Sequence, residues 1–161
     1  MTNLIQDIHR NTKGKTRQIS VGLVGYTAYQ SGNTAYTCYK GAVMMVDVSD
    51  VDGYAQPMQS GITAATGDVF LGFAAEQVAI TSSDTADGTK RIKIDQPDLV
   101  KIPIGSLAVT DMGDEIFATD DNTFGTSTSG LAVGILEYID ADGTAWLNPR
   151  NHYGQVSANT A

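Results

Sequence analysis

Apolar residues in this chain fall in short runs and strict alternations, each closed by glycine, aspartate or proline, a pattern of strands rather than long helices. Val43-Met44-Met45-Val46-Asp47-Val48 lies between Gly41 and the turn Asp50-Val51-Asp52-Gly53, and predicts a buried strand. Val69-Phe70-Leu71-Gly72-Phe73-Ala74 predicts a second. Arg91-Ile92-Lys93-Ile94-Asp95 alternates, which sets the isoleucines on one face and the charges on the other. Val100, Ile102 and Ile104 alternate in the same way, with Pro103 pointing to an edge position. Glu115-Ile116-Phe117-Ala118-Thr119 follows the turn Met112-Gly113-Asp114. The longest strand expected covers 131–139, and Asp140-Ala141-Asp142-Gly143 turns it into Thr144-Ala145-Trp146-Leu147, the strongest hairpin signal in the chain. Residues 19–25 alternate weakly, and one short helix is expected around 73–80.

Turn residues separate almost every apolar segment, at Ser60-Gly61, Thr66-Gly67-Asp68, Ala86-Asp87-Gly88 and 125–130. The 17 glycines suit many tight turns, and the runs of Leu, Glu, Lys and Gln that build long helices are missing. The expected architecture is all-β: a single compact β-sandwich or small β-barrel over 21–150. A basic N-terminal segment over 1–20, either an extended or partly helical arm or a disordered terminus, precedes it, and a flexible C-terminal tail over 151–161 follows. A fixed-period repeat, a heptad pattern and a domain-splitting linker are all missing.

Charge changes the picture. Net charge is −8, yet residues 1–40 carry Arg10, Lys13, Lys15, Arg17 and Lys40 against the single acid Asp7, so this segment is +4 and the remainder −12. An acidic body disfavours nucleic acid as partner, because phosphate binding needs cations gathered on one face. The basic segment suits an acidic protein surface instead, and Arg10, Lys13, Lys15 and Arg17 are its candidate contacts. Tyr26, Tyr29, Tyr36 and Tyr39 cluster behind it; they either pack across a strand pair or present an interface, since tyrosine joins a large apolar body to a polar tip. Cys38 is the only cysteine and reads as a small buried hydrophobe. No apolar run reaches the ~20 residues of a membrane helix. The opening Met-Thr-Asn-Leu-Ile-Gln-Asp lacks the order of a secretory signal, so synthesis in a cytoplasm without export by that route is expected.

Chemistry is sparse. The two histidines, His9 and His152, stand beside no nucleophile motif and read as solvated side chains. Most acids sit in turn pairs such as Asp120 with Asp121 and Asp140 with Asp142, where aspartate bonds nearby backbone amides. The Asp-x-Asp-Gly strings at Asp50 and Asp140 resemble the start of a calcium loop but lack its closing glutamate. Gly14-Lys15-Thr16 lacks the earlier glycine of a phosphate loop. One cysteine and two distant histidines assemble no metal cluster. The expectation is a non-enzymatic protein with no cofactor.

From Gly41 onward the order of motifs resembles small head proteins of tailed phages, the capsid decoration or structural cement proteins. The resemblance rests on Gly41-Ala42-Val43 running to Tyr54-Ala55-Gln56-Pro57, then Phe70-Leu71-Gly72-Phe73-Ala74, then Arg91-Ile92-Lys93-Ile94. Gly113-Asp114-Glu115-Ile116-Phe117-Ala118-Thr119-Asp120-Asp121 follows, and a strand, acidic turn and closing strand over 132–147 complete it. It covers roughly residues 41–148, and the first 40 residues lie outside it. It implies a protein without enzymatic activity that binds the outer surface of an assembled capsid, often as a trimer, with the major capsid protein and its own copies as partners. Other virion β proteins (a head fibre base, a tail component) and a carbohydrate-binding module with the tyrosine cluster as platform are the competing expectations.

Overall fold

A computed structural model describes residues 3–30, 32–47, 53–59 and 68–155. Eleven strands form among them: β1 (Thr12–Gly22), β2 (Tyr36–Cys38), β3 (Val43–Val46), β4 (Gln56–Pro57), β5 (Val69–Ala74), β6 (Val78–Ile80), β7 (Arg91–Ile102), β8 (Glu115–Ala118), β9 (Phe124–Gly125), β10 (Leu131–Ile139) and β11 (Ala145–Asn148). A single 3₁₀ turn, Val109–Asp111, is the helical content of the described residues. The chain is all-β, as its apolar pattern predicts. None of its described helices is long and apolar enough to cross a membrane.

Nine strands make one antiparallel sheet, and β7 is its spine. One edge of β7 carries β1 along nearly its whole length, from Thr12 opposite Val100 to Gly22 opposite Arg91. The other edge is shared: β5 pairs at Asp95 and Ile94, and β11 pairs from Val100 to Ile102. The sheet therefore forks into a β5-β3-β4 wing and a β11-β10-β8-β9 wing. Val43, Met45, Phe70 and Phe73 of the first wing share one apolar cluster with Ile116, Leu131, Val133, Leu136 and Leu147 of the second, so the wings face each other across the main core. Burial of each large side chain there contributes roughly 1.5–3 kcal/mol. Opposite the fork, the amide of Val43 donates to the Asp121 carbonyl at 3.1 Å and ties the far ends of the wings together.

Two phenylalanines three positions apart cannot both face one side of a regular strand. A register shift between β3 and β5 solves this: Met44 pairs with Gly72 and Met45 with Phe70, which leaves Leu71 as the extra residue. Gly72 takes φ +134°, and a Cβ there would lie 2.4 Å from the Asp95 carbonyl oxygen, so only glycine fits.

The outer face of the β3-β5-β7 wing is covered in turn by the 23–38 segment. Leu23, Val24, Tyr29, Tyr36 and Cys38 pack there with Ala42, Met44, Ile80, Ile92 and Ile94 in a second cluster. The small β2–β6 sheet closes this layer.

Four expectations need correction. Residues 73–80 are not helical: Phe73 and Ala74 end β5, a bend follows, and 78–80 pair with β2, so strand pairing overrides the local pattern. The two alternating segments at 91–95 and 100–104 are one strand through Pro97, which ends at Ile102 before Pro103. The 1–20 arm is extended but not detached, since its latter half is β1 within the sheet, and Ile8 and Leu4 donate backbone bonds to Lys40 and Asp121. At the other end, residues 151–155 of the expected tail form a turn held to the body: Tyr153 stacks on Phe70 with centroids 5.4 Å apart and donates to the Pro97 carbonyl, while Gly154 donates to Phe70. Residues 156–161 lie outside the described residues, as do Asp50 and Asp52 and the turn at 60–67.

Candidate partner-binding surface

The basic segment enters the fold as an edge strand with one irregularity. Lys13 pairs with Leu99 and Thr16 with Pro97, so Gly14 and Lys15 together oppose Asp98. This bulge places Gly14 at φ +77°, with the Asp98 carboxylate against its α-carbon, where a Cβ would meet Oδ2 at 2.6 Å. The same carboxylate accepts the Lys15 amide at 2.9 Å. The bulge divides the cations of the segment among three settings.

Arg10 is turned inward. Its Nε donates to the Gly41 carbonyl at 2.6 Å, and its Nη2 donates to Asn122 Oδ1 at 2.7 Å and to the Asp121 carbonyl at 3.3 Å. The guanidinium lies 5.0 Å from the Phe73 ring centroid and 5.3 Å from that of Phe124. Gly41 precedes β3 and Asn122 precedes β9, so Arg10 bridges the seam between the two wings. Burial lowers its pKa to about 10, opposed by the nearby Asp121, and it stays charged at neutral pH. Asp121 is fully buried and accepts the Leu4 amide at 2.8 Å. Burial, reinforced by Asp120, pushes its carboxyl up to about 6 against the pull of Leu4 N–H and Arg10.

Lys13 lies on the outside of the sheet. Its Nζ is 4.2 Å from the Trp146 ring centroid and 5.2 Å from that of Tyr138, and it donates to the Tyr138 hydroxyl. Trp146 in turn donates from Nε1 to Asp140 Oδ2 at 3.0 Å, and the Thr144 amide donates to Asp142 Oδ1 at 3.0 Å. Both aspartates of the hairpin thus serve its turn. Among the described residues no group of three or more His, Cys, Asp or Glu side chains is placed to hold a metal.

Lys15 and Arg17 face outward into a groove of about 360 Å³, lined also by Gln96, Asp98, Arg150 and Tyr153. Buried Gln96 orients Arg17: its Oε1 accepts Arg17 Nε at 2.7 Å while its Nε2 donates to the Leu71 carbonyl at 2.8 Å. Asn148 orients Arg150 in the same manner, its Oδ1 accepting both the backbone amide and Nε of Arg150. Both guanidinium groups are therefore held through Nε, and among the described residues no hydrogen bond engages their Nη nitrogens. Ion pairs among the described residues join Lys90 to Asp84 and His152 to Glu115; the three groove cations belong to neither.

The tyrosines separate as well. Tyr29 and Tyr36 are buried with ring centroids 3.9 Å apart; Tyr29 donates to Gln59 Oε1 and Tyr36 to the Val24 carbonyl. They are core residues of the second cluster; Tyr26 is half-buried against it, and Tyr39 is half-buried. Cys38 is buried beside them, and burial raises its thiol pKa. His152 is not simply solvated: its ring Nε2 donates to Glu115 Oε2 at 2.9 Å and ties the C-terminal turn to β8.

Arg150, Gln96 and Tyr153 escaped the reading of the sequence. Asn148-Pro149 marks a turn, which is a local signal for an ordered Arg150, but its meeting with β1 is purely tertiary. Comparison with protein-family models, with curated proteins and with solved structures finds no match.

Proposed function

We propose that this chain is a non-enzymatic structural protein of a tailed-phage virion, a decoration or cement protein that binds the outer surface of the assembled capsid as a homotrimer, with the major capsid protein as partner. The observation that carries this reading is the motif order over 41–148. Each motif of the resemblance is a successive strand, or its turn, in one connected sheet: β3, β4, β5, β7, β8 and the β10–β11 hairpin. A second support is the segregation of charge, with three cations that form no ion pair among the described residues gathered on one groove of a protein of net charge −8. The glycan-binding alternative has less support, because two of the four tyrosines of its platform are core.

A protein that binds only the assembled lattice stabilises that lattice by linkage, in proportion to the logarithm of its concentration over its dissociation constant. Symmetric copies raise the effective concentration of each further contact. The test is to add purified protein to expanded capsids that lack it and to image them by electron cryo-microscopy. Ordered density at three-fold or quasi-three-fold positions on the outer face is the expected result. Bare capsids at saturating protein would reject the role and favour a tail or fibre component.

A further inference from the structure

We infer that the groove between Lys15, Arg17 and Arg150 is the seat of an acidic segment of the protein partner, receiving its carboxylates on the two guanidinium groups. The identity of that partner as a capsid subunit rests on the reading above; the groove's chemistry does not. Three features of the site point to carboxylate on a peptide. Cations from opposite ends of the chain converge, although acids outnumber bases 18 to 10 in the protein. Each guanidinium is held by an amide side chain through Nε, which fixes its plane and presents Nη donors in the fork that pairs with a carboxylate in bidentate fashion. Asp98, the one acid on the groove, accepts the Lys15 amide and stands against three cations, so the groove keeps a net positive charge of two.

The shape favours an extended segment over a small ion. The groove runs along β1, whose burial pattern is exposed for its first seven residues and which pairs on one side with β7. Its lining includes Tyr153, whose ring is stacked on Phe70 and fixed through its hydroxyl to Pro97, an apolar surface suited to the methylenes of a glutamate.

The test uses the full chain and a fluorescein-labelled short polyglutamate peptide, read by anisotropy at low ionic strength, alongside co-sedimentation with capsids. The double variant Lys15→Ala/Arg150→Ala removes two exposed side chains, and Lys93→Glu, an exposed cation on another part of β7, lowers net charge by the same amount. The double variant should weaken peptide and capsid binding about tenfold or more, with Lys93→Glu close to wild type. Arg17→Lys keeps the charge and discards the fork, and should weaken the peptide by a smaller factor. Thermal melting of each variant confirms that it is folded. Equal losses in the double variant and Lys93→Glu would overturn the inference, as would peptide binding by none of the proteins. Inorganic phosphate that displaces the peptide at equal concentration would also overturn it, by making the groove a free-anion site. Capsid binding by the double variant at wild-type strength would overturn it while leaving the cement role intact. Peptide binding lost in the double variant, from a protein that ignores capsids altogether, would support the groove and reject the cement role.

Discussion

Arg10 and Arg17 belong to one short basic run, yet they do opposite things. Arg10 has three hydrogen-bond acceptors and two aromatic rings around it, and spans the two wings of the sheet. Arg17 has one side-chain acceptor among the described residues and lies exposed on an edge strand. A cation enclosed by backbone carbonyls is part of the fold, because leaving those carbonyls unpaired in the interior costs free energy. A cation whose plane is fixed but whose donors are unused is available to a partner. Net charge along a sequence does not distinguish the two; acceptor count and burial do.

The largest expected effect comes from breaking the inward half of this comparison. Arg10→Ala strips the Gly41 carbonyl and Asn122 of their Arg10 donor, leaves the Asp121 carbonyl with the Val43 amide alone, and removes the positive charge beside the buried Asp121 carboxyl, at a cost of about 3 kcal/mol. Urea denaturation measures it, with Arg17→Gln as the counterpart, expected to change stability by less than about 0.5 kcal/mol. Equal costs for the two would erase the distinction. Next in size, Gly14→Ala sets a Cβ into the Asp98 carboxylate at a positive φ, which costs about 1–2 kcal/mol. It should also disturb Lys15 and the groove, so polyglutamate binding should fall together with stability, a pairing absent from Arg10→Ala as long as that variant remains folded.

Legibility in the sequence follows the range of the interaction that decides each feature. β5 and β10 have the bounds their apolar runs predict, because runs closed by Gly and Asp are local signals. The β10–β11 hairpin was equally plain, since Asp140-Ala141-Asp142-Gly143 supplies its own turn. β7 divides into two segments in the sequence because its alternation lapses over 96–99; the bulge at Gly14 and Lys15 that faces this stretch lies on a strand far away in sequence. Tyr29 and Tyr36 gave no sign of which face they join until the 23–38 segment folded over the sheet. Lys15 and Arg17 were visible as candidates, but Arg150 was not, as nothing near Asn148-Pro149 refers to β1.

A pH titration sharpens the comparison at the seam. The Asp121 carboxyl is raised from its ordinary 3.8 to about 6, so the folded state holds its proton more tightly than the unfolded chain does. The stabilisation from this group is therefore fully present below pH 3.8 and is lost as pH rises through about 6. Between those values it contributes on the order of 1 kcal/mol. Asp121→Asn, which retains an acceptor for the Leu4 amide, should flatten stability against pH in this window. An unchanged slope in Asp121→Asn would assign the dependence to other carboxylates.

Lys13 stands between the two classes and is expected to give the smallest effect. It is exposed, like Arg17, yet its ammonium already has partners in Tyr138 and Trp146 on the sheet's outer face. Trp146 is the only tryptophan, so its fluorescence reports on this one site. Lys13→Ala removes the cover from the ring, and the emission should shift to the red while the thermal midpoint falls by about 2 °C or less. Polyglutamate and capsid binding should stay at wild-type strength, because the ammonium is engaged within the chain and lies outside the groove lining. A large fall in the midpoint would put Lys13 with Arg10 as a fold-holding cation. Loss of capsid binding without loss of stability would put it with Arg17, and would extend the docking surface across the bulge onto the Trp146 face.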